Sequence, residues 1–106
     1  MIKMNKIKFS IIIPVKEIND YIIESLPHLL NQSYQNFEII IFPDKADKRI
    51  KNKKIRIIKT GATGPAEKRD LSIKYAKGEI LAFIDDDAYP DKDWLKKSLE
   101  NFADEK

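Results

Sequence analysis

Three consecutive carboxylates, Asp85, Asp86 and Asp87, are the residues of this sequence whose type and spacing most directly indicate chemistry. Adjacent carboxylates repel one another, and the repulsion grows as water is removed. A divalent cation relieves that repulsion, and Mg2+ and Mn2+ prefer oxygen ligands, often one or two carboxylates plus substrate phosphates. Because Asp85 and Asp87 have the D-x-D spacing, we predict that they bind Mg2+ or Mn2+. The alternative is an acidic turn over residues 85–91 ahead of a capped helix.

The segment Gly61–Arg69 is the second candidate for ligand binding. Gly61 and Gly64 permit tight backbone turns, and a helix that starts here would offer its N-terminus to an anion. Lys68 and Arg69 would add positive charge against a diphosphate. The glycine spacing matches neither a P-loop nor G-x-G-x-x-G, so a plain loop before a helix with surface charges is the alternative.

Other polar and aromatic residues carry weaker signals. Asp44 follows Pro43 at the end of an apolar run and is either a turn residue or a ligand contact. His28, the single histidine, falls on a helical pattern, where a surface or core role is expected rather than a catalytic one. Trp94 is expected in the core rather than stacked on a sugar.

Four apolar runs are the elements that would position these side chains. Runs of four to eight apolar residues without alternation are typical of strands buried on both faces of a parallel sheet. Segments with apolar residues at helical spacing lie between some of these runs, and a last helix contains Trp94, Leu95 and Leu99. Pro27 should kink or restart its helix, and Gly78 should end its helix in the left-handed conformation. The predicted strands are 9–15, 37–42, 55–58 and 79–84, and the first two helices are 21–30 and 66–77.

Strands that alternate with helices predict an α/β fold, a Rossmann-like three-layer α/β/α domain with a mostly parallel sheet of about four strands. Ligands bind such sheets outside the carboxyl ends of the strands, where the strand order reverses. If the first strand lies between the second and the fourth, the segments 14–17, 43–44 and 85–87 line one crevice.

Composition indicates one soluble globular domain over residues 1–106. Hydrophobic residues make up 42% and charged residues 35%, and there is no cysteine, which suits a reducing, cytoplasmic compartment. No apolar run approaches the roughly 20 residues that span a membrane. A net charge of +3 argues only weakly for nucleic acid, and we predict no such partner. The basic residues cluster between Lys45 and Lys59, which indicates a solvated loop or a surface for an anionic partner.

Three segments together resemble the start of a family 2 glycosyltransferase with the GT-A fold, over almost the whole chain. FSIIIPVKEIN resembles the opening strand of the family and its P-T-Y-N-like turn. LLNQSYQNFEIIIFPD resembles the stretch Q-x-Y-x-N-F-E-I-I-V-V-D-D. GPAEKRDLSIKYAKGEILAFIDDDAYPDKDWL resembles G-x-x-x-A-R-N-x-G, followed by A-x-G-E-x-I-x-F-L-D-x-D-D. The resemblance implies strand order 3-2-1-4 and a nucleotide diphosphate sugar as donor, with a UDP-sugar favoured.

The resemblance also implies roles for particular residues. Asp44 would contact the base, and Arg69 would lie near the base and the diphosphate. Asp87 would hold the metal, which would bridge the diphosphate and stabilise the leaving nucleotide. The remaining residues implied for the donor site are Pro14, Val15 and Glu17 beside the base and ribose, and Asp85 and Asp86 toward the ribose and diphosphate.

The sequence departs from the family pattern at several positions. Residues 15–17 replace T-Y-N, Pro43 replaces one aspartate, and Asp70 stands where asparagine is usual. The acceptor site and general base of the family lie beyond the D-x-D motif, whereas this chain ends about one helix after it. We therefore expect a donor-binding half, itself inactive or weakly active, and assign no catalytic base. The resemblance leaves room for membrane association through a C-terminal part of the parent protein.

Two other functions compete with this interpretation. A non-catalytic interaction module would use the same fold and form a homodimer through an exposed sheet edge. A metal-dependent phosphatase would also place D-x-D after a strand, but its nucleophile usually follows the first strand. The acidic triplet of this chain follows the fourth predicted strand.

Overall fold

A computed structural model describes residues 6–104, and describes side chains as far as residue 101. The domain predicted for residues 1–106 therefore includes residues 1–5 and 105–106, which lie outside the described residues. The strands are β1 (Phe9–Pro14), β2 (Phe37–Phe42), β3 (Ile55–Ile57) and β4 (Ile80–Phe83), and the helices are α1 (Asp20–Leu30), α2 (Pro65–Tyr75) and α3 (Trp94–Asp104).

The four strands form one parallel sheet in the order β3-β2-β1-β4. This confirms the predicted α/β class and the strand order 3-2-1-4. β1 and β2 occupy the middle, and the apolar runs that form them are buried along nearly their whole length. The strand order reverses between β1 and β4, and ligands of such sheets bind outside the carboxyl ends of the strands near this point.

Helices cover both faces of the sheet and give the predicted three layers. One face of β1 and β2 packs against α1 and α3 in a continuous core, to which Trp94 also adds its partly buried ring. The cluster of buried residues on the opposite face of the sheet is smaller, and Ala76, directly after α2, packs against it. The fully buried side chains of the larger core include Phe9, Ile11, Ile22, Ile39 and Leu95.

Helix α1 runs without interruption through Pro27, so the predicted restart at this residue is wrong. A proline removes one N–H donor and displaces the carbonyl four residues earlier, here that of Ile23. Both Pro27 and Ile23 are exposed, so that carbonyl lies on the solvent side of the helix, where water can take the place of the missing donor. The helix begins after Asn19, whose side-chain oxygen accepts a hydrogen bond from the Ile22 N–H at 3.0 Å.

The prediction that Gly78 ends α2 in the left-handed conformation is also wrong. Helix α2 ends at Tyr75, and the residue after it, Ala76, has extended backbone. Among the described residues the glycine with a positive φ angle is Gly61, at 80°. Gly78 instead lies directly against β1. A Cβ atom at this position would be 2.7 Å from each of three backbone atoms of residues 8–10. The residue is needed for close approach of two chain segments and not for its φ angle.

A buried carboxylate joins the end of α2 to the sheet. Glu38 of β2 accepts hydrogen bonds from the Ser10 hydroxyl at 2.6 Å and the Lys77 N–H at 2.7 Å, and pairs with Arg56 at 2.8 Å. The Gly78 N–H donates to the Ser10 hydroxyl at 2.8 Å. Burial alone raises the pKa of the Glu38 carboxyl, but these hydrogen bonds and Arg56 outweigh it and hold the pKa below its usual value. The network fixes the path of the chain into β4.

Strand β4 is less buried than its apolar sequence predicted. All four residues are partly exposed, and Phe83 is 42% exposed, because in the described chain β4 pairs with β1 alone and is an edge of the sheet. The acidic triplet that follows therefore lies at the end of an edge strand, not a fully buried one. No helix among the described residues is long and apolar enough to cross a membrane.

Candidate functional site

The carboxyl ends of β1, β2 and β3 are joined into one surface by backbone hydrogen bonds. These bonds continue the pairing of the strands into the segments that follow them, so the loop residues there have fixed backbone positions. The bonds run from Val15 N to Phe42 O at 3.2 Å, from Asp44 N to Lys16 O at 2.9 Å, from Thr60 N to Pro43 O at 2.9 Å and from Gly61 N to Asp44 O at 2.9 Å.

Two adjacent cavities open on this surface, and both are lined by Lys16 and Asp44. The first, of about 310 Å³, lies toward the β2–β3 loop. The second, of about 370 Å³, lies toward the start of α2. We call the two together the strand-end cleft. The structure thereby brings together five of the predicted site residues, namely Glu17 in the first cavity, Pro14, Val15 and Lys68 in the second, and Asp44 in both.

Asp44 is held in the cleft by an ion pair with Lys68. The Lys68 ammonium donates to Asp44 Oδ1 at 2.7 Å and to the Thr60 hydroxyl at 2.6 Å. The side chain of Lys68 is only 3% exposed, whereas that of Asp44 is 17% exposed. Lys68 was predicted to add positive charge against a diphosphate; in the structure its ammonium is directed at Asp44. Arg69 is exposed on α2 and is not among the residues that line the two cavities.

The acidic triplet lies beside the cleft, after β4, and does not line either cavity. Asp85 and Asp87 are exposed, whereas Asp86 is half-buried. The Asn19 side-chain amide donates to Asp86 Oδ2 at 2.7 Å while the Asn19 oxygen caps α1. One side chain therefore anchors the middle of the triplet to the start of α1. No local sequence pattern linked Asn19 to Asp86, which lies 67 positions away.

A metal ion at this site would depend on few protein ligands. Among the side chains that the structure describes, no group of three or more histidine, cysteine, aspartate or glutamate residues is arranged to hold a metal. The exposed pair Asp85 and Asp87 offers an all-oxygen donor set. That set suits Mg2+, which is usually held by one or two carboxylates and takes its other ligands from water and phosphate. The residues present therefore fit Mg2+ or Mn2+ bound together with a phosphate ligand.

The loop after the triplet is attached to the exposed side of α1. The Tyr89 hydroxyl donates to Glu24 Oε2 at 3.0 Å, and its ring meets the edge of His28 with the centroids 5.2 Å apart. The hydrogen bond to Glu24 is the first cause of a raised pKa at Tyr89. His28 is an exposed packing partner in this contact. The contact limits the movement of the segment that carries the triplet.

The parallel sheet, in the order 3-2-1-4 and with helices on both faces, defines a Rossmann-like α/β domain, a class whose ligands bind outside the carboxyl ends of the strands. Residues 10–106 match the family described as glycosyl transferase family 2. The chain belongs to this family, as its motifs implied.

Relatives with curated names are also glycosyltransferases. The chain is 35% identical to an uncharacterized glycosyltransferase of Haemophilus influenzae, over 91% of this chain and 42% of that protein. It is 32% identical to the poly(ribitol-phosphate) beta-N-acetylglucosaminyltransferase TarS of Staphylococcus aureus, over 84% of this chain and 18% of that protein. The chain thus spans less than half the length of these relatives.

Solved structures of TarS share the fold of this chain. A crystal structure of S. aureus TarS superposes with a TM-score of 0.71 at 28% identity, over 91% of this chain and 19% of that chain. A TarS structure in complex with UDP-GlcNAc superposes with a TM-score of 0.74 at 30% identity, over 91% of this chain and 31% of that chain. The Rossmann-like sheet of this chain is therefore that of a GT-A glycosyltransferase.

Proposed function

We propose that this chain binds a nucleoside diphosphate sugar, with UDP-sugar favoured, and is the donor-binding part of an inverting glycosyltransferase. The observation that carries the proposal is the position of Asp44 in the strand-end cleft beside the exposed pair Asp85 and Asp87. A cleft with a carboxylate acceptor suits a nucleobase, and a neighbouring oxygen donor set suits the metal of a diphosphate. The UDP-GlcNAc complex of TarS supports the choice of ligand.

The predicted residues other than Lys68 have the following roles in this proposal. Asp44 accepts a hydrogen bond from the base, and Arg69 reaches the base and the diphosphate. Asp85 and Asp87 hold Mg2+ or Mn2+, and Asp85 and Asp86 also approach the ribose and diphosphate. When bound, the cation neutralises charge on the diphosphate as it leaves. The base and ribose rest against Pro14 and Val15 in the second cavity and Glu17 in the first.

Sugar transfer itself would require more than the described residues. We assign no catalytic base among residues 6–104. The transfer reaction, its acceptor and any association of the enzyme with a membrane belong to the proposal for the whole protein. A cytoplasmic setting, expected from the absence of cysteine, is part of the same proposal.

Calorimetric titration with UDP in the presence and absence of Mn2+ tests the donor site. We expect UDP to bind with Mn2+ and to bind at least about 10-fold more weakly with EDTA, because carboxylates and diphosphate repel one another without the cation. A folded sample that binds no UDP with either Mn2+ or Mg2+ contradicts the proposed function. Orthophosphate and AMP serve as ligand controls.

A second candidate function is that of a non-catalytic interaction module, and the exposed edge strand favours it. In the described chain β4 pairs on one side only, and its last residue, Phe83, is 42% exposed. An unpaired edge with an apolar neighbour is a surface on which a second copy of the chain can pair. If this is the function, sedimentation velocity will show a dimer that grows with concentration, and Phe83→Lys will shift it to monomer. A monomer at every concentration up to the millimolar range excludes it.

A further inference from the structure

The geometry points to Lys68 as a positioning residue that fixes the Asp44 carboxylate and so makes the cleft select bases with a ring N–H donor between two carbonyls, uracil above cytosine. This inference rests on the proposed nucleotide-binding function and adds to it the residue that sets base selectivity. It also replaces the role that the sequence indicated for Lys68, which was a direct charge contact with the diphosphate.

Burial excludes Lys68 as an open phosphate contact. Its side chain is 3% exposed, and its ammonium already donates to Asp44 Oδ1 and to the Thr60 hydroxyl. A buried ammonium is costly unless it is paired and hydrogen-bonded, so these two contacts hold it in place. Lys68 belongs to the first turns of α2, and its own N–H donates to the Gly64 carbonyl at 3.1 Å. The ammonium is therefore fixed relative to the helix as well as to the sheet.

Asp44 is consequently fixed both at its backbone and at its carboxylate. Its N–H donates to the Lys16 carbonyl and its own carbonyl accepts from Gly61, each at 2.9 Å, so its backbone cannot turn. At the carboxylate, Asp44 Oδ1 accepts a hydrogen bond from the Lys68 ammonium. Within the part of the chain that the structure describes, no protein donor is recorded at Oδ2, and Asp44 lines both cavities of the cleft. The wall thus presents one carboxylate oxygen whose direction is set by Lys68.

The chemistry of that wall discriminates between pyrimidines. An ionised carboxylate is an acceptor only, and an ammonium is a donor only, with three N–H groups of which two are used here. Uracil presents a ring N–H between two carbonyls, and this N–H can meet the open carboxylate oxygen of Asp44. Cytosine has a lone pair where uracil has that N–H, and a lone pair facing a carboxylate is repelled. A site built to accept a hydrogen bond rejects the analogue that lacks the donor.

The test compares UDP and CDP binding at saturating Mn2+ in the wild-type protein and in Lys68→Met. We expect the wild-type protein to prefer UDP by about 100-fold, and UDP methylated at the ring N–H to bind as weakly as CDP. In Lys68→Met the preference should fall to about 3-fold or less, because Asp44 loses the partner that directs it. Lys74→Met, at an exposed position of the same helix, is the matched control and should keep the wild-type preference.

A second variant tests the same inference if the Lys68→Met protein does not fold. Thr60→Val keeps the shape of the side chain and removes only the hydroxyl that anchors the ammonium, so it should reduce the preference by about 3- to 10-fold. The ratio of the two affinities is the decisive readout, since a merely structural role would weaken both nucleotides alike.

The outcomes separate this inference from the proposed function. If the wild-type protein prefers UDP and either folded variant keeps that ratio, Lys68 does not set selectivity. Equal binding of UDP and CDP by the wild-type protein overturns the inference alone and leaves nucleotide binding standing. If the wild-type protein binds neither nucleotide, both the inference and the proposed function are wrong.

Discussion

Replacing Asp87 with asparagine should weaken Mn2+-dependent binding of UDP by about 10- to 100-fold while the protein stays folded. Asp87 is exposed, and among the described residues no hydrogen bond or ion pair involves its side chain, so its replacement should not disturb the fold. The substitution keeps the size of the side chain and removes its charge. A hard cation held by two carboxylates loses half of its charged protein ligands when one becomes an amide. The measurement is titration with UDP at fixed Mn2+, repeated in EDTA, where the variant and the wild-type protein should differ little.

Comparison with Asp86 sharpens this prediction. Asp86 is half-buried and accepts a hydrogen bond from Asn19, so its carboxylate is directed toward the start of α1. Asp86→Asn should therefore cost less metal-dependent affinity than Asp87→Asn. Glu100→Gln, an exposed position on α3, removes the same charge away from the triplet and should change nothing. Equal affinity of Asp87→Asn and the wild-type protein for UDP with Mn2+ would show that Asp87 is not a metal ligand.

The parallel sheet could be predicted because its two central strands are apolar runs that are each interrupted by a single polar residue, Ser10 in β1 and Glu38 in β2. In residues 9–14 and 37–42 polar and apolar side chains do not alternate, and such runs are typical of a sheet that is covered on both faces. The same reasoning failed for β4, because an apolar run reports the character of the side chains and not the number of neighbouring strands. Residues 80–83 read as a buried strand but form an edge in the described chain.

The site could be located from the sequence but its internal contacts could not. Strand ends meet at one edge of a parallel sheet, and this rule was enough to group Asp44 with the first strand end. Lys68 lies in a run of polar residues on a helix with little apolar periodicity, so nothing local distinguished it from the exposed Arg69 beside it. Its burial depends on Asp44 and on Thr60, which reach it from two other segments. Such pairings are set by tertiary packing, which local patterns do not encode.

Replacing Gly78 with alanine should lower the free energy of unfolding by about 3 kcal/mol, the largest stability effect that we expect from one added methyl group. The new Cβ would lie 2.7 Å from the carbonyl oxygen of Lys8, the carbonyl carbon of Phe9 and the amide nitrogen of Ser10. These are backbone atoms of a central strand, so no side-chain rotation relieves the contact. Either β1 or the chain entering β4 must move, and the Gly78 hydrogen bond to Ser10 stretches with it.

The other glycines provide matched controls for this effect, measured by urea unfolding. A Cβ at Gly64 would meet only the flexible Glu67 side chain at 3.9 Å, so Gly64→Ala should cost no more than about 1 kcal/mol, the difference between glycine and alanine at the N-cap of a helix. Gly61 has open space but a φ of 80°, so Gly61→Ala should cost about 1 kcal/mol through backbone strain alone. If Gly78→Ala proves as stable as Gly64→Ala, the close approach of β1 and the α2–β4 connection is wrong. Because that approach also fixes where β4 ends, its loss would displace the acidic triplet, and metal-dependent UDP binding should weaken together with stability.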